Sequence, residues 1–226
     1  MLKEFFSQTT VNLVLAAIPT LCGYFLGRTP PGRLRAGTIA LGIVWLLFLP
    51  NTTYLVTQWR HFLFDEPFTL WRAGGQADRA GMFMTAVAGV LYVGYTLLGV
   101  LTFTLALRPV ERLFRARGQR LFPWAPLLFL LVSLGVYIGL IDRLNSWDVV
   151  NPARVLARCA SALSRPRSLL GIAAFAVFHW LAYLTVGYAL DGYAAAWRRL
   201  RANRRQTCTT SAASPIEPRT PPAIRE

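Results

Sequence analysis

Carboxylates are scarce in this sequence. Ten Asp and Glu stand against 24 Lys and Arg in 226 residues, and both signs together make up only 15% of the chain. A soluble domain carries about 25% charged residues, so a water-soluble core fits poorly. Histidine is scarcer still, with His61 and His179 alone. Without an H-E-x-x-H pair a zinc metalloprotease helix is excluded. A G-x-S-x-G elbow and a phosphate-cradling glycine loop are missing too. The apolar stretches hold no series of embedded carboxylates, which argues against an ion-coupled transporter. Cys22, Cys159 and Cys208 lie far apart, with no ligand spacing. Neither a metal nor a cofactor is expected.

What the chain has in abundance is apolar sequence, 54% of its residues. Five windows are uncharged or nearly so: 9–27, 36–57, 81–107, 121–141 and 168–190. Crossing the hydrocarbon takes about 20 apolar residues as a helix, and each window reaches or nears that length. Lipid offers backbone groups no hydrogen-bond partner, so an isolated span must be helical. The short alternating pattern of an outer-membrane barrel is missing. The expectation is an all-α, polytopic transmembrane bundle of about five spans, residues 1–202. Leu21 is bulky where a lipoprotein site before Cys22 wants a small residue, so the first window is read as a retained span.

The formal net charge of +14 resides in loops and tail. Nucleic acid is not expected, because no binding motif accompanies the charge. Arg28, Arg33 and Arg35 in the first loop, five arginines from Arg108 to Arg120 in the third, and seven after the last span outweigh the alternate segments. The positive-inside rule then places the N-terminus outside and the C-terminus in the cytoplasm. The last stretch, 203–226, is rich in Thr, Pro, Ser and Arg and is expected to be a disordered tail. The basic cluster before it suits contact with anionic lipid. Oligomeric state is not legible.

Two polar stretches interrupt this pattern. The first, "FLPNTTYLVTQWRHF" from Phe48 to Phe62, ends the second span. Pro50 removes one backbone hydrogen bond and crowds the carbonyl of Leu46, so a kink is expected there. Asn51, Tyr54, Gln58 and His61 then form a single helical stripe. Trp59 reads either as an interfacial anchor or as part of a pocket wall. The second, "IDRLNSWDVVNP" from Ile141 to Pro152, follows the fourth span. Asn145 and Asp148 have the spacing of a capping box. Asn151 and Pro152 read as N-cap and first residue of a short surface helix, "PARVLARCASAL". Both stretches fall at the same end of the bundle, the external end in the expected orientation. His179 sits mid-span and should face the bundle interior. Gly81, Gly89, Gly94 and Gly99 in the third span suggest close helix approach.

"WLLFLPNTTYLVTQWRHF" and "DRLNSWDVVNP" resemble the hallmark segments of a bacterial integral-membrane family, domain of unknown function 1361. The likeness runs from about Leu13 to Leu190. Its pattern covers Pro50, Asn51, Tyr54, Thr57, Arg143, Asn145, Ser146, Trp147 and Asp148. Thr53 stands where a second proline is usual, and Gln58 where an acidic residue is usual. The resemblance implies a multi-pass protein of the bacterial inner membrane and supplies no activity.

Three functions remain in competition. The first is a polar and aromatic external cleft that binds a lipid, an envelope precursor or a partner protein. Its candidate residues are Asn51, Tyr54, Trp59, Arg143, Asn145, Trp147 and Asp148. The second is a membrane enzyme acting on a lipid-linked substrate, with Asp148 as acid or base and His61 assisting, and Asp65, Asp78 and Arg143 also available. The third is a small transporter with a polar path to His179.

Overall fold

In a computed structural model the described backbone covers residues 2–30, 35–59, 63, 79–118, 122–144 and 146–212, with side chains described for 10–30, 35–59, 63, 79–118, 123–144 and 148–202. Among the described residues there are six α-helices and no strand: α1 (Leu2–Leu26), α2 (Ala36–Thr57), α3 (Arg79–Ala116), α4 (Ala125–Asp142), α5 (Pro152–Leu163) and α6 (Pro166–Ala212). Short 3-10 turns, Phe122–Trp124 and Ser146–Val150, precede α4 and α5. Four helices (α2, α3, α4 and α6) are long and apolar enough to cross a membrane, and Thr10–Leu26 of α1 is a shorter apolar segment. Their outward faces are apolar as well: Phe83, Val90, Leu97, Leu170 and Leu181 are all exposed. Bare apolar surface on this scale is rare on soluble monomers and suits a lipid environment. The fold is the all-α polytopic bundle expected, with the surface helix after the fourth apolar segment.

The helices outrun the apolar windows. At 1.5 Å per residue, α3 extends for about 57 Å against a hydrocarbon core of roughly 30 Å. The window at 81–107 ends where charge begins, but Glu111 and Arg115 pair at 2.6 Å along one face and carry the helix on. Likewise α6 continues as helix to Ala212, past the boundary drawn at 202. Proline, the strongest breaker, first recurs after it at Pro215. From Gly187 on, the described part of α6 belongs to a unit separate from residues 1–186. Within it Tyr193, Trp197 and Leu200 are exposed, and Arg201 lies 5.2 Å over the Trp197 ring.

Within residues 1–186 small residues set the close approaches. Gly23 of α1 and Gly27 just past its end, spaced G-x-x-x-G, face α3, where added methyl groups would lie 2.3 Å from the Ala106 carbonyl oxygen and 2.6 Å from Pro109. That same carbonyl accepts the Trp45 indole N–H of α2 at 3.1 Å. Three helices therefore converge on one peptide, around a core of Leu49, Phe103, Leu107 and Phe129. Gly99 brings α3 against the Thr52 carbonyl of α2. Gly81 and Gly94 meet nothing within 4 Å, so glycine marks a contact in α3 at Gly99 but not at those two positions.

The last helix joins differently. Polar side chains tie it to its neighbours: Ser168 to Tyr137 at 2.8 Å, His179 to Ser133 at 2.9 Å, and Tyr183 to Glu111. In lipid, where apolar side chains have little to gain from one another, such bonds hold helices together.

Candidate functional site

Helix α2 runs unbroken through Pro50. Around it, four polar side chains bond to the helix's own carbonyls. Asn51 donates to the Phe48 carbonyl at 3.1 Å, Thr52 to Leu49 at 2.8 Å, Thr53 to Pro50 at 2.9 Å and Thr57 to Tyr54 at 2.8 Å. Each reaches back three residues and satisfies its own polar side chain against the helix backbone, where an apolar neighbour would offer no partner. Asn51, Thr52 and Thr53 are buried, so the N-x-T pattern there is no accessible glycosylation acceptor. Part of the polar character of this stretch is therefore local backbone satisfaction.

The rest is a docking surface. Gly135 and Gly139 of α4 form a second G-x-x-x-G pair, and it receives the motif residues of α2. A methyl at Gly135 would lie 2.7 Å from the Pro50 ring, and one at Gly139 only 1.2 Å from the Tyr54 hydroxyl oxygen. The Tyr54 hydroxyl thus occupies the space that any side chain at 139 would need. The two helices run parallel here, with Pro50 opposite Gly135 and Tyr54 opposite Gly139. One further step of four residues leads to Gln58 and Arg143.

Arg143 caps α4 in the left-handed conformation, φ 54° and ψ 34°, and is the one non-glycine residue with positive φ among those described. The next amide, Leu144 N–H, bonds back to the Ile138 carbonyl at 3.5 Å. A left-handed residue at a helix C-terminus is usually glycine, since a side chain there costs about 1–2 kcal/mol. An arginine kept in a glycine position points to a requirement for its side chain.

Beyond Arg143 the chain turns through Ser146–Val150 into α5. Asn151 accepts the Arg154 N–H at 3.2 Å, the expected N-cap, with Pro152 at the first helical position. Two ion pairs fasten α5 down: Arg154 to Asp148 at 3.6 Å and Arg158 to Asp142 at 3.2 Å. Its Ala162 packs against Ile138, Leu144 and Ile172.

Between these elements lies a cavity of about 450 Å³. Its polar lining includes Asn12 of α1, Asn51 and Tyr54 of α2, and Arg143; Leu46, Leu131, Ile138, Val149 and Val155 supply apolar wall, and Cys159 lies on the α5 side. Leu46 and Leu131 are also exposed, so the apolar wall continues onto the outer surface of the bundle. Burial pushes the Cys159 thiol above its usual range.

Of the residues anticipated from sequence, Asn51, Tyr54 and Arg143 come together on this cavity. Trp59 does not line it: its indole N–H bonds to Thr96 at 2.7 Å and its ring lies 6.0 Å from Tyr92, in the α2–α3 contact. Asp148 is paired with Arg154 and is not on the lining, though its neighbour Val149 is. His61, Asp65, Asp78 and Asn145 lie outside the described residues, as does the side chain of Trp147. Sequence reasoning missed Gly135, Gly139 and Cys159; the G-x-x-x-G spacing was the available signal for the glycines, and Cys159 carried none. Among the described residues no three His, Cys, Asp or Glu side chains gather as a metal site.

His179 occupies a different setting. It is 1% exposed, bonded through Nδ1 to Ser133, and enclosed by Phe103, Phe175 and Phe178 with ring centroids 5.2–6.3 Å away. It is not among the residues lining the cavity.

Fold and site together define a polytopic helical membrane protein whose cavity is mostly apolar, with a few polar groups, and built at one end of the bundle. A sequence profile described as "Protein of unknown function (DUF1361)" matches residues 11–182, and the chain belongs to that family. No curated protein and no solved structure matches it.

Proposed function

We propose that the cavity is a binding site for an anionic amphiphile, a lipid or lipid-linked envelope precursor, on the external face of the bacterial inner membrane. One observation carries this reading: Asn51, Tyr54 and Arg143 meet on one cavity whose remaining wall is apolar and continuous with the outer surface of the bundle. Arg143 supplies charge for a headgroup, Asn12, Asn51 and Tyr54 supply neutral polar groups, and the leucines and valines take a chain. The excess of arginine in the first loop, third loop and tail supports an external N-terminus and a cytoplasmic C-terminus.

Acid–base catalysis draws no support from this geometry, because Asp148 is spent on Arg154 and stands off the lining. Transport draws none either, since His179 is sealed among aromatic rings. Native mass spectrometry of the purified protein tests the binding reading. The wild-type chain should carry a defined lipid that Arg143→Ala loses. Bulk lipid alone, equal in both proteins, would sink it.

A further inference from the structure

We infer that the cavity selects a headgroup with one negative charge, such as a phosphodiester, over a diphosphate. This rests on the amphiphile reading above and goes beyond it to the charge of the ligand.

The reason lies in how α5 disposes of charge. Val155 and Cys159, one turn apart, face the cavity. Arg154 and Arg158, each one position earlier, lie on the adjacent face of the same helix. They are spent on Asp148 and Asp142, the two carboxylates that flank Arg143 in sequence. Both carboxylates are about four-fifths covered, with side-chain exposures of 20% and 19%, while the guanidinium groups are 55% and 50% exposed. Two positive and two negative charges therefore cancel at the rim. Arg143 is the only charged residue on the lining among those described, and no carboxylate pairs with it there.

The remaining polar groups are neutral, and one is already committed, the Asn51 amide to the Phe48 carbonyl. A single anion finds a bidentate partner in Arg143. A second negative charge would enter an apolar enclosure with no cation left to compensate it, and an unpaired charge is strongly disfavoured there. Selectivity is thus set by α5, a helix that gives its cations away.

The test is competition in nanodiscs of phosphatidylcholine doped with equal mole fractions of phosphatidylglycerol and a polyprenyl diphosphate, read by native mass spectrometry. The wild-type protein should retain phosphatidylglycerol over the diphosphate by at least about tenfold. The double variant Asp142→Asn/Asp148→Asn frees two guanidinium groups and should shift retention toward the diphosphate. The converse variant, Arg154→Gln/Arg158→Gln, frees two carboxylates and should lose anionic lipid altogether. Equal or preferred retention of the diphosphate by the wild-type protein overturns the inference, whatever the variants do. A failure of the amphiphile reading looks different: neither lipid is retained above phosphatidylcholine, and Arg143→Ala behaves as wild type.

Discussion

His179 and Arg143 are two cationic-type side chains of the same bundle, handled in opposite ways. His179 is enclosed by phenylalanine rings and tied to Ser133 across the α4–α6 seam. Arg143 is exposed at the mouth of a cavity, on a backbone conformation that an arginine adopts only at a cost. The first arrangement leaves no room for a ligand, and the His179 Nε2 is buried without a hydrogen-bond partner among the described residues. The second sacrifices local energy and keeps a charge accessible. Polar groups within a membrane protein tend to mark function, but polarity alone does not separate these two. Enclosure and backbone strain do.

The contrast can be broken most forcefully at the seat beneath Arg143. Gly139→Ala should displace Tyr54 and destabilise the protein by about 2–3 kcal/mol, the upper range for overpacking a core. Thermal unfolding in detergent measures the loss, and adding Tyr54→Leu should restore part of it. At the enclosed site, Ser133→Ala strips His179 Nδ1 of its partner and should cost about 1–3 kcal/mol with lipid retention unchanged. Changed retention there would erase the distinction between the two sites.

A smaller effect with the opposite sign is expected at the cap. Arg143→Gly relieves the left-handed strain and should raise stability by about 1 kcal/mol while abolishing retention of the anionic lipid. Gln58→Asp sharpens the same point from α2. Gln58 and Arg143 each stand four residues beyond the Tyr54–Gly139 contact, and a carboxylate at 58 should weaken retention several-fold. The subtlest readout is Cys159. Because burial raises its thiol above the usual range, little thiolate is present at neutral pH and alkylation should be slow. Raising the pH should speed it, and phosphatidylglycerol in the cavity should slow it again.

The sequence announced the bundle through uninterrupted apolar length, and it announced α5 through a proline directly after an asparagine cap. Those signals are local, and local chemistry decides them. Pro50 is visible as a residue, whereas the bonds of Asn51, Thr52, Thr53 and Thr57 to carbonyls three residues back depend on rotamers that residue type alone does not fix. Glycine was ambiguous for a related reason. Gly94 and Gly139 look alike in an apolar run, yet one faces open space and the other a tyrosine hydroxyl. Which glycine is a seat depends on the partner helix. Asp148 looked like a free acid because the arginine that engages it sits six residues on, across a turn and a cap. The left-handed backbone at Arg143 left no mark in the residue type at all.

The interlock of Tyr54 with Gly139 has a consequence for assembly in time. Roughly 85 residues separate the two positions, and synthesis proceeds at about 5–20 residues per second. For several seconds α2 is therefore inserted with its tyrosine unseated, waiting for a groove that is still inside the ribosome. The hydrogen bonds of its Asn and Thr side chains to their own carbonyls need no second helix. They keep the polar side chains of α2 satisfied in lipid until the partner helix arrives.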